Sequence, residues 1–158
     1  MRSDVNWVSC VLQTRAPDAS RGWGLNGPQG QLRPNRMLSR TMENQMRWML
    51  RSKIHKAVVT DANLDYIGSV TIDQELIEMV GFWPGEKVLV VSNTSGARLD
   101  TYVIVGERNS GVICMNGAAA HLIRKGEEVI IMGFELTDSP IVPTSILVGP
   151  GNKFSRWL

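Results

Sequence analysis

A serine hydroxyl attacks a carbonyl only when its surroundings hold it there, and a serine preceded by glycine has such a carbonyl one bond away. Gly68-Ser69 supplies that pair, inside Asp65-Tyr66-Ile67-Gly68-Ser69-Val70-Thr71-Ile72-Asp73. Gly68 has no Cβ and tolerates the strained backbone that attack by Ser69 Oγ requires. Alone, the dipeptide reads as a turn. Three further clusters change its weight. Lys53-Ile54-His55 precedes it; Gly96-Ala97-Arg98-Leu99-Asp100-Thr101-Tyr102 and Asn116-Gly117-Ala118-Ala119-Ala120-His121 follow it. Lys53 and Arg98 are cations suited to carboxylates, the guanidinium through a two-pronged grip. Tyr102 carries a phenol with a pKa of about 10, so as a proton donor it depends on placement more than on acidity. Thr101 alternates to the opposite face of the same strand. Asn116 can hydrogen-bond a carbonyl or an ester, and Gly117-Ala118-Ala119 is small enough for its backbone amides to approach a small anion. Each has a plain alternative: a solvated hairpin arginine, an ordinary strand tyrosine, a tight turn of small residues. His55 shares a strand face with Lys53 and is either a direct participant or a core or interface histidine. The spacing of His55, Cys114 and His121 fits no zinc motif, and no metal is expected.

Read in order, the four clusters resemble the pyruvoyl-dependent aspartate 1-decarboxylase family, over about Met49 to Asn152. Decarboxylating an amino acid leaves electrons at Cα, which need a sink. The chain has no glycine-rich loop to cup pyridoxal phosphate. The resemblance implies that Ser69 itself becomes the sink. Ser69 Oγ attacks the Gly68 carbonyl to give an ester, and elimination and hydrolysis leave a pyruvoyl group at the new N-terminus. Its ketone then takes the substrate amine as a Schiff base. By the same resemblance Thr101 and Asn116 assist cleavage, and Tyr102 returns a proton to Cα. Lys53, Arg98, Thr101 and the Gly117, Ala118 and Ala119 backbone hold L-aspartate. The products are β-alanine and carbon dioxide, in pantothenate biosynthesis. The implied fold is a double-psi β-barrel assembled as a homotetramer with active sites between subunits. Processing is either spontaneous or assisted by a maturation helper protein. The reading from another class is a non-catalytic barrel that binds a small ligand or protein partner, with Ser69 never cut. Val91 stands where some members carry tryptophan, and Asn109 where glycine is usual; the stretch between Phe134 and Pro143 is short. These departures bear on pocket shape and C-terminal packing.

The elements that must position these groups are mostly short strands. Ile54 to Thr60 is β-favouring. Asp73 can cap a helix from Gln74 to Val80, with Leu76, Ile77 and Val80 on one face and Gly81 ending it. Pro84-Gly85 is a turn. Lys87 to Ser92 and Leu99 to Val105 are strands joined at Asn93-Thr94-Ser95-Gly96. Gly111 to Met115, Glu128 to Phe134 (a buried strand, being nearly all apolar) and Pro143 to Val148 complete the set. The fold class is mainly β, a small barrel with one or two short helices.

Composition sets the frame. The 158 residues fit one domain, and 43% apolar content suffices for a core without staples. A net charge of +2 points to no nucleic acid, and no apolar run approaches the ~20 residues that cross a bilayer. Cys10 and Cys114 show no paired spacing, which favours free thiols and a cytoplasmic setting. Charge is uneven: residues 1–48 hold seven Arg and three acids, net +4, whereas residues 49–158 carry net −2. The first segment has breakers at Gly22-Trp23-Gly24 and Asn26-Gly27-Pro28 and no sustained period. Residues 1–48 are therefore expected to be a disordered extension or sequence upstream of the true start, with the decarboxylase-like barrel at 49–158.

Overall fold

The computed structural model describes residues 45–158. It consists of nine strands and two short helices. The strands are β1 (Arg47–Val58), β2 (Asp61–Asn63), β3 (Ser69–Asp73), β4 (Lys87–Ser92), β5 (Arg98–Gly106), β6 (Ile113–Asn116), β7 (Glu128–Thr137), β8 (Thr144–Val148) and β9 (Phe154–Trp157). The helices are α1 (Gln74–Val80) and α2 (Ala119–Leu122).

All nine strands share one sheet, ordered β2-β6-β3-β5-β4-β7-β1-β8-β9. β1 and β2 are separated only by Val59 and Thr60, yet they stand far apart in that order. The sheet must therefore curl until its ends meet. The two residues make the seam: Val59 N–H donates to Glu127 O at 2.9 Å and Thr60 N–H to Ile113 O at 2.8 Å, joining the β7 side to the β6 side. β1 bends to allow this. Against β7 it carries an extra residue between Leu50 and Ser52 and another between Ile54 and Ala57, where Lys56 sits at φ 64°. Such bulges sharpen local twist and turn barrel corners. The pairing is mixed, with β3 parallel to β5 and β2 parallel to β6 among antiparallel neighbours. The mainly β barrel with two short helices is thus the architecture expected from the sequence.

Alternation divides the wall into two faces. One row across β5, β4, β7, β1 and β8 is Leu99, Val90, Ile131, Ile54 and Ile146, and all but Leu99 are fully buried. The next row on the outer face is Asp100, Leu89, Met132, Lys53 and Ser145. β7 is consequently buried through one face, by Val129, Ile131 and Gly133.

Asp73 carries the turn into α1. It caps the helix by accepting from Glu75 N–H at 2.9 Å, and Gly81 closes it at φ 69°. The same carboxylate accepts the Asn109 amide at 2.9 Å and the Gly111 amide at 2.7 Å, so the β5–β6 connection is clamped to the end of β3. Asn109 adopts φ 60°, the left-handed turn that its position requires.

β1 begins at Arg47, with Trp48 opposite Leu136, so the boundary expected at residues 48 and 49 falls within this strand. Residues 1–44 of the expected extension, Cys10 among them, lie outside the described residues.

Candidate active site

Ser69 opens β3, where its backbone pairs with Asn116 on antiparallel β6. Val70 and Ile72 face the core, fully buried, so Ser69 and Thr71 share the opposite face. Asn116, itself buried, reaches over that face. Its Nδ2 donates to Ser69 Oγ at 2.7 Å and to Thr71 Oγ1 at 2.9 Å. Its Oδ1 accepts from Cys114 Sγ at 3.3 Å. Ser69 has no solvent exposure, whereas Ile67 two residues earlier is 82% exposed. The Gly68-Ser69 bond thus joins an exposed loop to a closed wall.

Gly117 packs against Gly68, just before that bond. It sits at φ 58°, and its amide donates to Asn63 O at 2.7 Å. A Cβ there would fall 2.6 Å from Tyr66 O and 2.8 Å from both Gly68 N and Cα. Only glycine lets the Asn116–Ala118 backbone lie directly on Gly68. Gly68, by contrast, has room: an added Cβ would meet Asn116 O at 3.7 Å. The tight glycine is the one after the asparagine rather than the one before the serine. With the Gly117 amide engaged, the unpaired donors of this stretch are those of Ala118 and Ala119, at the start of α2.

β5 runs parallel to β3 on its other side, with Val70 opposite Val103. One step back along both strands sets Tyr102 beside Ser69, on the same face. Tyr102 is 39% exposed there, while Val103 is buried. Thr101 has the core-facing parity, opposite Val88, and comes level with Gly68. Arg98, the first residue of β5, is exposed and shares the Tyr102 face, as does Asp100, which pairs with Lys87 at 2.9 Å.

Lys53 and His55 are half-buried on the outer face of β1, as alternation requires. Burial, aided by Lys53 and Lys56 and opposed by Glu128, pushes the His55 imidazole down from its ordinary value. Its Nδ1 is buried without a hydrogen-bond partner. Between β5 and β1 lie β4 and β7. At about 4.8 Å per strand, three steps separate Lys53 from the Tyr102 strand by roughly 14 Å along the wall. One chain thus brings together Gly68, Ser69, Asn116, Gly117 and Tyr102, sets Arg98 and Thr101 on the same strand as Tyr102, and holds Lys53 and His55 apart. Thr71 and Cys114, which touch Asn116, were not among the residues expected from the sequence. Their signal is the period of two that links them to Ser69 and Asn116.

Fold and site together define a small mixed β-barrel with a buried serine at a glycine-serine bond, gripped by an asparagine side chain. The chain belongs to the aspartate decarboxylase family, whose model matches residues 45–155. It is similar to the aspartate 1-decarboxylase of Bacillus subtilis, 56% identical over 90 residues that cover 57% of this chain and 71% of that protein. It is also similar to the aspartate 1-decarboxylase of Neisseria meningitidis serogroup C, 49% identical over 111 residues, 68% of this chain and 87% of that protein. Among solved structures, the computationally designed msDPBB_sym2 protein shows 17% identity and a TM-score of 0.34, covering 55% of this chain and 99% of that one, a likeness too slight to weigh. Among the described residues no helix is long and apolar enough to cross a membrane.

Proposed function

We propose that this chain cuts itself between Gly68 and Ser69 and then decarboxylates L-aspartate to β-alanine and carbon dioxide, as a step toward pantothenate. The observation that carries the reading is the grip on Ser69: a buried hydroxyl, bonded by Asn116 Nδ2 at 2.7 Å, next to a Gly68 against which only a glycine at 117 can pack.

Cleavage follows from this geometry. Ser69 Oγ adds to the Gly68 carbonyl carbon, its proton passes to the Ser69 nitrogen, and the Gly68–Ser69 C–N bond breaks to give an ester and a free amine. The Asn116 donor holds Oγ in place for the attack. Thr101, level with Gly68, serves the carbonyl that is attacked. Loss of the Ser69 α-proton expels the ester as the Gly68 carboxylate, and water releases the nitrogen as ammonia. A pyruvoyl group then stands at residue 69. The site fits it: β3 stays anchored on both sides by β5 and β6, and the cradle under Gly117 has no room for a side chain.

When present, that group supplies a carbonyl sink for the electrons of the breaking Cα–carboxylate bond. The remaining work belongs to side chains. Arg98, on the Ser69 face of β5, grips a substrate carboxylate bidentately. Backbone amides of Ala118 and Ala119 offer an anion cradle, and Gly117, with no side chain, leaves the approach to it open. Tyr102, beside Ser69, delivers a proton to Cα. Lys53, with His55 next to it, reaches the substrate from a second copy of the chain, so the working form is an oligomer, a homotetramer by family expectation. Maturation runs unaided or through a helper protein. The free Cys114 thiol supports a cytoplasmic setting.

Intact mass of the purified protein tests the reading. Two fragments meeting at residues 68 and 69 are expected. Ser69→Ala, which removes the attacking hydroxyl, is expected to stay whole and inactive. A wild-type chain that persists uncut even when purified from its native host, where any helper is present, favours the non-catalytic barrel, and cleavage of the Ala variant at the same bond overturns self-processing.

A further inference from the structure

We infer that Thr71 and Cys114 are positioning residues for the Gly68-Ser69 scission: from two sides they fix the Asn116 carboxamide so that its NH2, not its oxygen, addresses Ser69 Oγ. The inference rests on the self-processing reading above.

Ser69–Asn116 and Thr71–Cys114 are pairs of one antiparallel ladder, two residues apart on each strand. All four side chains consequently stand on one face. The carboxamide at their centre has two donor hydrogens and one acceptor oxygen. One hydrogen goes to Ser69 Oγ at 2.7 Å, the other to Thr71 Oγ1 at 2.9 Å, and the oxygen takes the Cys114 S–H at 3.3 Å. Turned over, the carboxamide would offer its NH2 to sulfur, a weak acceptor, and its oxygen to the serine. Burial pushes the Cys114 thiol up, the Asp61 carboxylate adds to this, and the Asn63 backbone amide opposes it. This direction agrees with the thiol's place as donor to Asn116 Oδ1. Asn116 is 3% exposed, so water does not readily replace a lost partner.

The orientation matters as Ser69 Oγ gives up its proton and bonds to carbon. An N–H aimed at that oxygen leaves the Oγ–H free to pass to the scissile nitrogen, whereas a carboxamide oxygen aimed at it would accept that hydrogen and hold it back. Thr71 fixes the plane of the carboxamide and Cys114 fixes its sense. Both act through Asn116, and decarboxylation in the processed protein makes no use of them. Their loss is therefore felt in cleavage.

The test follows cleavage of the freshly purified full chain by intact mass against time, then kcat and KM for aspartate once cleavage is complete. Thr71→Val keeps shape and loses the hydroxyl; Cys114→Ala loses the donor; Cys114→Ser keeps one. Cleavage is expected to slow by roughly tenfold in Thr71→Val and in Cys114→Ala, about the worth of one buried hydrogen bond. Cys114→Ser should cleave near the wild-type rate. The double variant should be slower than either, but by less than the product of the two, since both act on one group. Completely processed variants should keep kcat and KM within about twofold. Wild-type cleavage rates in Thr71→Val and Cys114→Ala overturn the inference, as does a Cys114→Ser chain slowed as much as Cys114→Ala. A wild-type chain that never cuts defeats the self-processing reading instead. Positioning is then decided by NMR exchange of the Asn116 side-chain amide protons in the uncut chain. Faster exchange in Thr71→Val and Cys114→Ala upholds it, and unchanged exchange overturns it.

Discussion

Ser69 and Tyr102 stand side by side on neighbouring strands but meet opposite surroundings. Ser69 is sealed under the Asn116–Gly117 backbone, which suits a hydroxyl that attacks its own chain. Tyr102 is 39% exposed, which suits a phenol that meets a substrate arriving from outside. The two steps should therefore separate by mutation. Tyr102→Phe keeps the ring and loses the proton. It is expected to process normally and then to decarboxylate about 10²-fold more slowly, the size of a lost general acid. Cleavage by intact mass and kcat on the fully processed variant check both halves, and full activity removes Tyr102 from the chemistry. Both residues were singled out in the sequence by the motifs that carry them. Thr71 and Cys114 were not. Nothing in their types marks them, and only the pairing of β3 with β6 shows that they flank Asn116.

Elements were legible where a single residue enforces a local geometry. Asp73 as N-cap and Gly81 as left-handed terminator bound α1 at the residues expected, and the Asn93–Gly96 connection joins β4 to β5 as expected. Elements without such a residue were harder. The first residues of β1 alternate neither in polarity nor with the core, and Trp48 remains 70% exposed. β9 is exposed throughout, so no apolar period announces it. α2 has four residues, barely one turn, too few to show a period. Asp73 also does what its sequence does not reveal, holding the Asn109 and Gly111 amides 36 and 38 residues away. Asp73→Ala removes the cap, worth ~1 kcal/mol, and strands two further amides in a region where Asp73 is 1% exposed. A loss of roughly 2–4 kcal/mol is expected, read as a lower urea midpoint at unchanged slope. A midpoint within error of wild type would mean that the loop satisfies those amides without Asp73.

At the scale of the whole molecule, the barrel sets Lys53 and Ser69 far apart along one wall. Ser69, Asn116 and Tyr102 gather where β6, β3 and β5 run together, whereas Lys53 sits beyond β4 and β7 on β1. The wall between them is continuous hydrogen-bonded sheet, and a lysine stem is too short to cross roughly 14 Å of it. Alternation in the sequence put Lys53 and His55 on one face but could not say how far that face lies from Ser69, because strand order is set by pairings distant in sequence. If Lys53 serves the substrate, it serves the Ser69 of another copy, and symmetric assembly repeats that contact around the oligomer. Two defective chains should then repair each other. Ser69→Ala keeps Lys53 but cannot make the sink. Lys53→Ala makes the sink but lacks the cation. Co-expressed in equal amounts and mixing at random, they pair an intact residue 69 with an intact Lys53 in about one site in four, since each partner is drawn from its own half of the pool. Activity near a quarter of wild type is expected from purified mixed oligomers, against far lower values for either variant alone. Activity no higher than the average of the two parents would mean that Lys53 and Ser69 act within one chain or that Lys53 plays no part, and the shared site would fall with it.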